Sequence, residues 1–236
     1  MTLFLTLLSG VVWTVVYIDA IRVGFRDRTY AIPVAALALN IAWESIYAVR
    51  SLSDGPDVQG VVNLVWFVAD AVIVWTFLRY GRAELPAWIT QPLFAGWSLL
   101  MLIMGFTVQL LFVGEFGWSA APVYAAFLQN LLMSVLFIAM LVARGGTRGQ
   151  TLTIAVAKWI GTLAPTLTFG VIYDSPFVLG VGVLCSVFDL VYIGLVWTAL
   201  KTQPAMTRAL PCVFRRAAGV QGGRPPCYDT RAPVCI

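Results

Sequence analysis

Residues 39–47 read Leu-Asn-Ile-Ala-Trp-Glu-Ser-Ile-Tyr and place Glu44 inside the apolar run 31–49. A run of this length predicts a membrane-crossing helix, because about 20 residues rising about 1.5 Å each span the hydrocarbon core. A carboxyl group at that depth is costly unless it is protonated, paired or hydrated. The acid therefore indicates a functional site, and Glu44 is a candidate proton donor.

The rest of the chain has the same apolar character. Its 236 residues are 60% hydrophobic and 11% charged, with a mean hydropathy of +0.88, a composition that the surface of a soluble domain does not tolerate. We predict an all-α membrane protein, a single bundle of seven transmembrane helices joined by short connections. The predicted spans are 2–20, 31–49, 58–79, 91–112, 119–142, 151–172 and 176–200.

The distribution of basic residues predicts the orientation of this bundle. Lysine and arginine lie almost entirely on one side, at Arg22, Arg26, Arg28, Arg79, Arg82, Arg144, Arg148, Lys201 and the tail arginines. The opposite connections carry only Arg50, and Lys158 lies inside the sixth predicted helix. We therefore expect the amino terminus outside and the carboxyl terminus in the cytoplasm. The net charge of +4 is explained by basic residues that set the topology and contact anionic lipid. It therefore gives no reason to expect a nucleic-acid partner.

The composition changes near residue 200. Residues 1–200 are predicted to form the seven-helix catalytic domain, and 201–236 a disordered, basic, Pro- and Gly-rich cytoplasmic tail. The tail cysteines Cys212, Cys227 and Cys235 are 15 and 8 residues apart, which fits no zinc-binding pattern. We expect the tail to be dispensable.

Several chemistries are excluded by missing residues. The chain has no histidine, so neither a Ser-His triad nor a histidine metal site can form. It has no glycine-rich phosphate loop, no DDxxD cluster and no DxDD motif. The sequence therefore predicts chemistry that uses no metal and no cofactor.

Polar residues recur at helical spacing in three predicted helices. The three stripes are Asn40, Glu44 and Tyr47; Asn63, Trp66 and Asp70; and Cys185, Asp189 and Tyr192. Because carboxyl groups facing lipid are unfavourable, we expect Glu44, Asp70 and Asp189 to converge on one interior cavity. The alternative is that they join helices by hydrogen bonds worth about 1 kcal/mol each.

Aromatic residues accompany these acids. Trp43, Trp66, Phe188 and Tyr192 lie beside an acid or one helical turn from it, away from the predicted helix ends. Aromatic faces stabilise a nearby cation by about 0.5–2 kcal/mol, so acids among aromatics favour carbocation chemistry. The other large aromatics fit a belt at the membrane interface: Trp13, Tyr17, Trp88, Trp97, Trp118 and Trp197.

Residues 21–33 (Ile-Arg-Val-Gly-Phe-Arg-Asp-Arg-Thr-Tyr-Ala-Ile-Pro), followed by 40–44 (Asn-Ile-Ala-Trp-Glu), resemble a signature of the integral-membrane terpene cyclases. These cyclases act in fungal meroterpenoid and indole-diterpene pathways and in bacterial drimentine-type pathways. Residues 66–70 and 185–192 resemble the third and seventh helices of that family. The similarity extends over residues 10–200.

The resemblance implies a cyclase that protonates the end of a farnesyl or geranylgeranyl chain carried on an indole, diketopiperazine or phenolic group. It implies Glu44 and Asp189 as catalytic residues, with Asp70 a weaker correspondence. We expect the surrounding residues to bind substrate: Asn40, Trp43, Tyr47, Trp66, Asp70, Phe188 and Tyr192.

Burial disfavours a carboxylate, so Glu44 is expected to be protonated and to act as the acid. Asp189 either tunes Glu44 by hydrogen bonding or acts as the later base. An epoxide oxygen is more easily protonated than an alkene carbon. Bacterial members of the family, however, include enzymes that protonate an alkene, so the reaction is expected to begin at either group. The Ala, Val, Gly and Arg bias favours the inner membrane of a high-GC bacterium; a fungal chain is expected in the endoplasmic reticulum.

Other seven-helix classes fit less well. A microbial rhodopsin requires a lysine in the middle of helix seven, where this chain has Ile193. A small proton-coupled transporter or membrane scaffold is the main alternative, since intramembrane acids also serve proton relays and Lys158 is a possible partner. The chain shows no repeated halves, however. Near predicted helix starts lie Pro33, Pro92, Pro122 and Pro176, with Pro165 in mid-helix six the exception.

Overall fold

The computed structural model describes residues 1–55 and 58–217, with side chains up to residue 202. Within this part of the chain the regular structure is entirely helical. The elements are α1 (Thr2–Asp27), α2 (Val34–Asp54), α3 (Val58–Tyr80), a 3₁₀ turn (Gly81–Glu84), α4 (Gln91–Arg144), α5 (Leu152–Pro165), a π-helical segment (Thr166–Ile172) and α6 (Pro176–Ala217). The prediction of an all-α protein is confirmed.

Helix α4 contains two of the predicted spans, 91–112 and 119–142. Its 54 residues would extend about 81 Å at about 1.5 Å per residue, far more than a hydrocarbon core of about 30 Å. The helix is broken at Gly117, whose φ of 69° and ψ of 170° lie outside the helical region. The connection predicted between the two spans is therefore reduced to this glycine.

Pro165 changes the type of helix. It is the last residue of α5, and the chain continues directly as the π-helical segment Thr166–Ile172. Proline lacks the N–H that an α-helix requires, and a wider helical turn accommodates the missing bond. The helix therefore changes type directly after Pro165.

Five helical segments are long and apolar enough to cross a membrane among the residues described: Thr2–Asp27, Val58–Glu84, Gln91–Arg144, Leu152–Ile172 and Pro176–Thr202. Many of their large apolar side chains are exposed, including those of Leu3, Val68 and Leu111. Such surface fits lipid better than water. The protein is a membrane protein by these criteria.

Helix α2 is not among these five segments, and most of its residues from Ala36 to Ala48 are buried. It packs against both α3 and α4, and its buried face includes Asn40, Glu44 and Tyr47. Gly105 of α4 lies at this contact, where a Cβ atom would be 2.2 Å from the backbone oxygen of Ala38. Small residues at such contacts let two helix backbones approach each other closely.

A largely buried ion pair lies at the arginine-rich end of the bundle. Arg144 Nε lies 3.0 Å from Glu84 Oε2, and Arg144 Nη2 donates to Thr29 Oγ1 at 3.0 Å. The guanidinium group of Arg144 also lies 4.5 Å from the ring centroid of Tyr30. In the same region Asp27 accepts a bond from the backbone N–H of Gly149 at 2.8 Å. The loop after α1 therefore has a structural role besides setting topology.

The chain divides into two compact units, Met1–Leu200 and Lys201–Ile236. The backbone of α6 continues to Ala217, beyond residue 200, where the sequence placed the end of the last helix. The stretch 201–217, predicted as disordered tail, is thus helical in its backbone. Alanine and arginine, which favour helices, each occur three times in this stretch. Cys212 has no described side chain, and Cys227 and Cys235 lie outside the described residues.

Candidate active site

Glu44 lies in the interior of the protein, with 3% of its surface exposed. Its Oε1 atom accepts a short hydrogen bond from the hydroxyl group of Tyr17 on α1. Tyr17 is itself 3% exposed, so the prediction that it belongs to an interface belt is wrong. Because Oε1 is used as an acceptor, the acidic proton of a neutral Glu44 belongs on Oε2.

Asp70 of α3 completes a pair of acids. Its side chain is fully buried, and its carboxyl group is close enough to that of Glu44 for the two to interact. Among the described residues, no other group donates to Glu44 Oε2 or to either oxygen of Asp70. Two adjacent carboxylates without a cation are strongly unfavourable in a dry interior, so the pair must hold at least one proton.

A chain of amide hydrogen bonds leads to this pair. Gln109 Nε2 donates to Gln129 Oε1 at 2.7 Å, and Gln129 Nε2 donates to Asn40 Oδ1 at 3.0 Å. Asn40 Nδ2 then donates to the hydroxyl oxygen of Tyr17 at 3.2 Å. All four residues are buried, so the chain fixes the direction in which Tyr17 donates to Glu44.

Aromatic rings cover the acid pair on the α1 side. The ring of Tyr17 lies 5.9 Å from that of Trp66 and 6.3 Å from that of Trp13. Trp66 is held by a bond from its Nε1 to Thr14 Oγ1 at 3.1 Å. Of these rings, that of Tyr17 belongs to the residue bonded to Glu44, and aromatic faces of this kind stabilise a nearby cation.

Trp43 and Tyr47 form a second aromatic group on α2. Their ring centroids are 4.9 Å apart, and Trp43 Nε1 donates to the backbone oxygen of Pro122 at 3.0 Å. The Tyr47 hydroxyl group is buried and lacks a hydrogen-bond partner among the described residues. It is therefore free to bond to a bound molecule.

Asp189 occupies a different position, on α6. Its Oδ1 atom lies 2.7 Å from Lys158 Nζ of α5, and Lys158 also donates to Ser134 Oγ of α4 at 2.6 Å. Lys158 is 0% and Asp189 1% exposed. The structure therefore brings Glu44 and Asp70 together and joins Asp189 to a lysine.

Tyr192 and Phe188 lie near Asp189 on α6. Tyr192 is fully buried, its ring 5.2 Å from that of Phe137, and its hydroxyl group donates to Gln150 Oε1 at 2.7 Å. Phe188 is partly exposed. Tyr17 and Tyr192 belong to the same hydrophobic core cluster, so the two groups of acids border one core.

An open cleft lies between α2, α3 and α4. Its volume is about 510 Å³, and its lining includes Ser45, Arg50, Phe106 and Trp118. The guanidinium group of Arg50 lies 5.1 Å from the ring centroid of Trp118. Trp118 is therefore part of a cleft wall near the end of α2.

Buried polar residues that were not among the predicted site residues include Tyr17, Gln109, Gln129 and Lys158. Gln109 and Gln129 carry a usable signal, because amides inside apolar spans are costly unless they are bonded. Tyr17 carries no such signal, since a tyrosine at the end of a predicted span is also typical of a membrane interface. Lys158 was recognised as an intramembrane charge, but its partner was not.

The fold and the buried carboxyl groups define a helical membrane protein with intramembrane acids. Residues 1–203 match the family model of the Pyr4-like transmembrane terpene cyclases. The chain belongs to this family, as the resemblance of its helix-one and helix-two residues predicted.

Individual relatives agree with this assignment. The chain is 34% identical over 170 residues to the Pyr4-family terpene cyclase mfmH of Annulohypoxylon moriforme, covering 70% of this chain and 68% of the relative. It is 27% identical over 206 residues to the terpene cyclase pyr4 of Aspergillus fumigatus, covering 81% and 83%. It is 29% identical over 179 residues to the terpene cyclase macJ of Penicillium terrestre, covering 70% of this chain but only 64% of that relative. No solved structure was found to match.

Proposed function

We propose that the protein protonates the terminal epoxide or alkene of a prenylated acceptor and so starts a metal-independent cationic cyclisation. The proposed substrates carry a farnesyl or geranylgeranyl chain on an indole, diketopiperazine or phenolic group. The family to which the chain belongs supports a cyclase, and the buried acid pair supports this way of starting the reaction. Glu44 is the proposed acid.

The observation that carries the proposal is the arrangement of the two oxygens of Glu44. Oε1 accepts the bond from Tyr17, which leaves Oε2 to hold the acidic proton beside Asp70. A general acid must present its proton at a defined atom and must be neutral before it acts. Burial of the pair among aromatic rings meets both conditions.

Asp70 has a distinct proposed part in the same step. When Glu44 gives its proton to the substrate, a carboxylate remains in a site that contains no cation among its described contacts. A protonated Asp70 would donate to that carboxylate, and hydrogen bonds to an ionised acceptor are about twice as strong as neutral ones. The bond would form during proton transfer, which lowers the barrier of that step.

The proposed course after protonation requires little more from the protein. A cation forms at the end of the prenyl chain, and the neighbouring alkenes attack it in turn if the chain is held folded. The rings of Tyr17, Trp66, Trp43 and Tyr47 would stabilise the cation and exclude water. The reaction ends by loss of a proton or by internal capture.

The proposed topology has seven membrane crossings. It counts α4 as two crossings, 91–116 and 118–144, separated at Gly117, and it includes the largely buried helix α2. The amino terminus is proposed to face out and the carboxyl terminus the cytoplasm, from the arginine distribution. The proposed location is the inner membrane of a bacterium, or the endoplasmic reticulum if the source is fungal.

The test is a cyclisation assay on membranes that contain the protein. Farnesylated and geranylgeranylated indole, diketopiperazine and phenolic compounds are supplied with and without a terminal epoxide. Products are followed by chromatography and NMR, because cyclisation leaves the mass unchanged. Glu44→Gln is compared with Glu115→Gln, which removes an exposed glutamate of α4.

The expected result is a cyclic isomer made by the wild type and by Glu115→Gln. Glu44→Gln should lower the rate by at least about 100-fold, the range of a lost general acid. Full activity of Glu44→Gln would remove Glu44 from the mechanism. Failure of the folded wild type to convert any of these compounds would overturn the proposal, and proton flux in liposomes would then test a transporter.

A further inference from the structure

We infer that Lys158 is a positioning residue for the cyclisation: its ammonium group holds Asp189 as a carboxylate whose free oxygen takes the proton that ends the reaction. This inference rests on the proposed function. It assigns proton donation to the pair Glu44 and Asp70 and proton acceptance to Asp189. Asp189 then has no part in starting the reaction.

The first observation is the geometry of the ion pair. Lys158 Nζ lies 2.7 Å from Asp189 Oδ1 and 2.6 Å from Ser134 Oγ. These contacts join α4, α5 and α6 at one point inside the protein. With exposures of 0% and 1%, the two side chains meet where water does not weaken their attraction.

The second observation is an unused oxygen. Asp189 Oδ2 is buried and has no hydrogen-bond donor among the described residues. One oxygen of the carboxylate is therefore fixed by the lysine, while the other keeps its lone pairs free. A base that must accept a proton from carbon needs such an atom, held in place and shielded from water.

The third observation is the contrast with Glu44. The described contacts of Glu44 are a tyrosine hydroxyl group and a second carboxyl group, an environment that favours a neutral acid. Asp189 instead faces a cation. Carboxyl groups in environments of opposite charge are suited to opposite steps, one giving a proton and the other receiving one.

The proposed step balances. The C–H bond next to the final cation breaks, its electron pair forms the new C=C bond, and the proton moves to Asp189 Oδ2. The lysine–aspartate pair thereby changes from neutral to a charge of +1. Glu44 has lost one proton by then, so the protein as a whole is unchanged in proton count. Asp189 must release its proton and Glu44 regain one before the next turnover.

The rival explanation is that the pair only holds the helices together. Buried ion pairs can often be replaced by neutral residues without loss of stability, whereas removing one partner alone is strongly destabilising. Lys158→Met should therefore lower the melting temperature, and Lys158→Met combined with Asp189→Asn should largely restore it. If the pair is only structural, the double variant regains activity together with stability.

The experiment measures melting temperature, turnover and products for both variants, with Asp54→Asn as control. Asp54 forms an exposed ion pair with Arg50. The Asp54→Asn variant therefore shows the effect of removing a paired acid that lies outside the interior of the bundle. We expect the double variant to melt near the wild-type temperature yet turn over at least about 100-fold more slowly. Products in which water has captured the cation should increase, because proton loss is delayed. Recovery of wild-type turnover in the double variant would overturn the inference.

A second comparison does not depend on the double variant folding. Lys158→Gln keeps hydrogen-bond donors towards Asp189 and Ser134 but has no charge, whereas Lys158→Arg keeps the charge. The arginine variant should retain more turnover than the glutamine variant by at least about tenfold, with unchanged products. Equal turnover of the two would overturn the inference alone. A wild type that converts no prenylated compound would overturn the proposed function and this inference together.

Discussion

The hydroxyl group of Tyr17 on α1 donates a hydrogen bond to Oε1 of Glu44 on α2. Both residues are buried, and the bond joins helices that meet beside a second acid. It determines which oxygen of Glu44 carries the acidic proton, so the function proposed for Glu44 depends on a residue 27 positions earlier in the chain.

Tyr17→Phe tests this dependence. The change keeps the ring but leaves a buried carboxyl oxygen without its donor, at a cost of about 1–3 kcal/mol. We expect a lower melting temperature and a turnover reduced by about 10- to 100-fold, because the proton of Glu44 is no longer confined to Oε2. Tyr173→Phe, at a tyrosine that is 62% exposed, is the control for both measurements. Equal turnover of the two variants would show that Tyr17 does not orient the acid.

Asp70→Asn separates stability from chemistry. The amide nitrogen can donate to Glu44 Oε2, so the fold should be as stable as the wild type or slightly more stable. During the reaction, however, an amide N–H is a weaker donor to the Glu44 carboxylate than a protonated Asp70 would be, and it cannot share a proton with Glu44. We therefore expect turnover to fall by at least about tenfold in a protein with an unchanged melting temperature.

The matched control for this change is Asp174→Asn, at an exposed aspartate with a φ of 54°. Asparagine adopts this left-handed conformation readily, so neither stability nor turnover should change. An Asp70→Asn variant with wild-type turnover would exclude a shared proton from the mechanism.

The sequence predicted the acid pair better than its surroundings. Asn40, Glu44 and Asp70 could be found because polar residues at helical spacing in an apolar span must face inward. Tyr17 could not, because the first helix was predicted to end at residue 20. The helix continues to Asp27, so Tyr17 lies well inside it and not at its end.

The position of Asp189 could not be derived from spacing within a helix. The polar stripe on α6 predicts that Asp189 points inward, but not which buried residue it meets. Its partner Lys158 belongs to another helix, and the rotation of α5 against α6 decides the pairing. Contacts between helices of this kind depend on packing and not on the local pattern.

Gly105→Ala tests the close contact between α2 and α4. The added Cβ would lie 2.2 Å from the backbone oxygen of Ala38, and a backbone atom cannot move aside as a flexible side chain can. We expect a loss of about 1–3 kcal/mol, the range for overpacking a buried site. Gly96→Ala, where no atom lies within 4 Å of the added Cβ, should be neutral or slightly stabilising in thermal unfolding.

The same change should affect turnover. Gly105 lies one helical turn before Gln109, which begins the hydrogen-bond chain to Tyr17. Moving the two helices apart lengthens that chain, so turnover should fall in the folded fraction of Gly105→Ala but not of Gly96→Ala. Equal melting temperatures for the two alanine variants would contradict the close packing.

Gly117→Ala tests the break that divides α4. A φ of 69° with a ψ of 170° is a conformation that essentially only glycine adopts, and forcing another residue into it costs about 1–3 kcal/mol. Gly114→Ala, with no atom within 4 Å of the added Cβ, should gain a little helix propensity instead. Thermal unfolding in detergent should separate the two variants by several degrees, since about 1 kcal/mol corresponds to about 2–4 °C in a chain of this size. Two alanine variants of equal stability would show that the break does not depend on the conformation of Gly117.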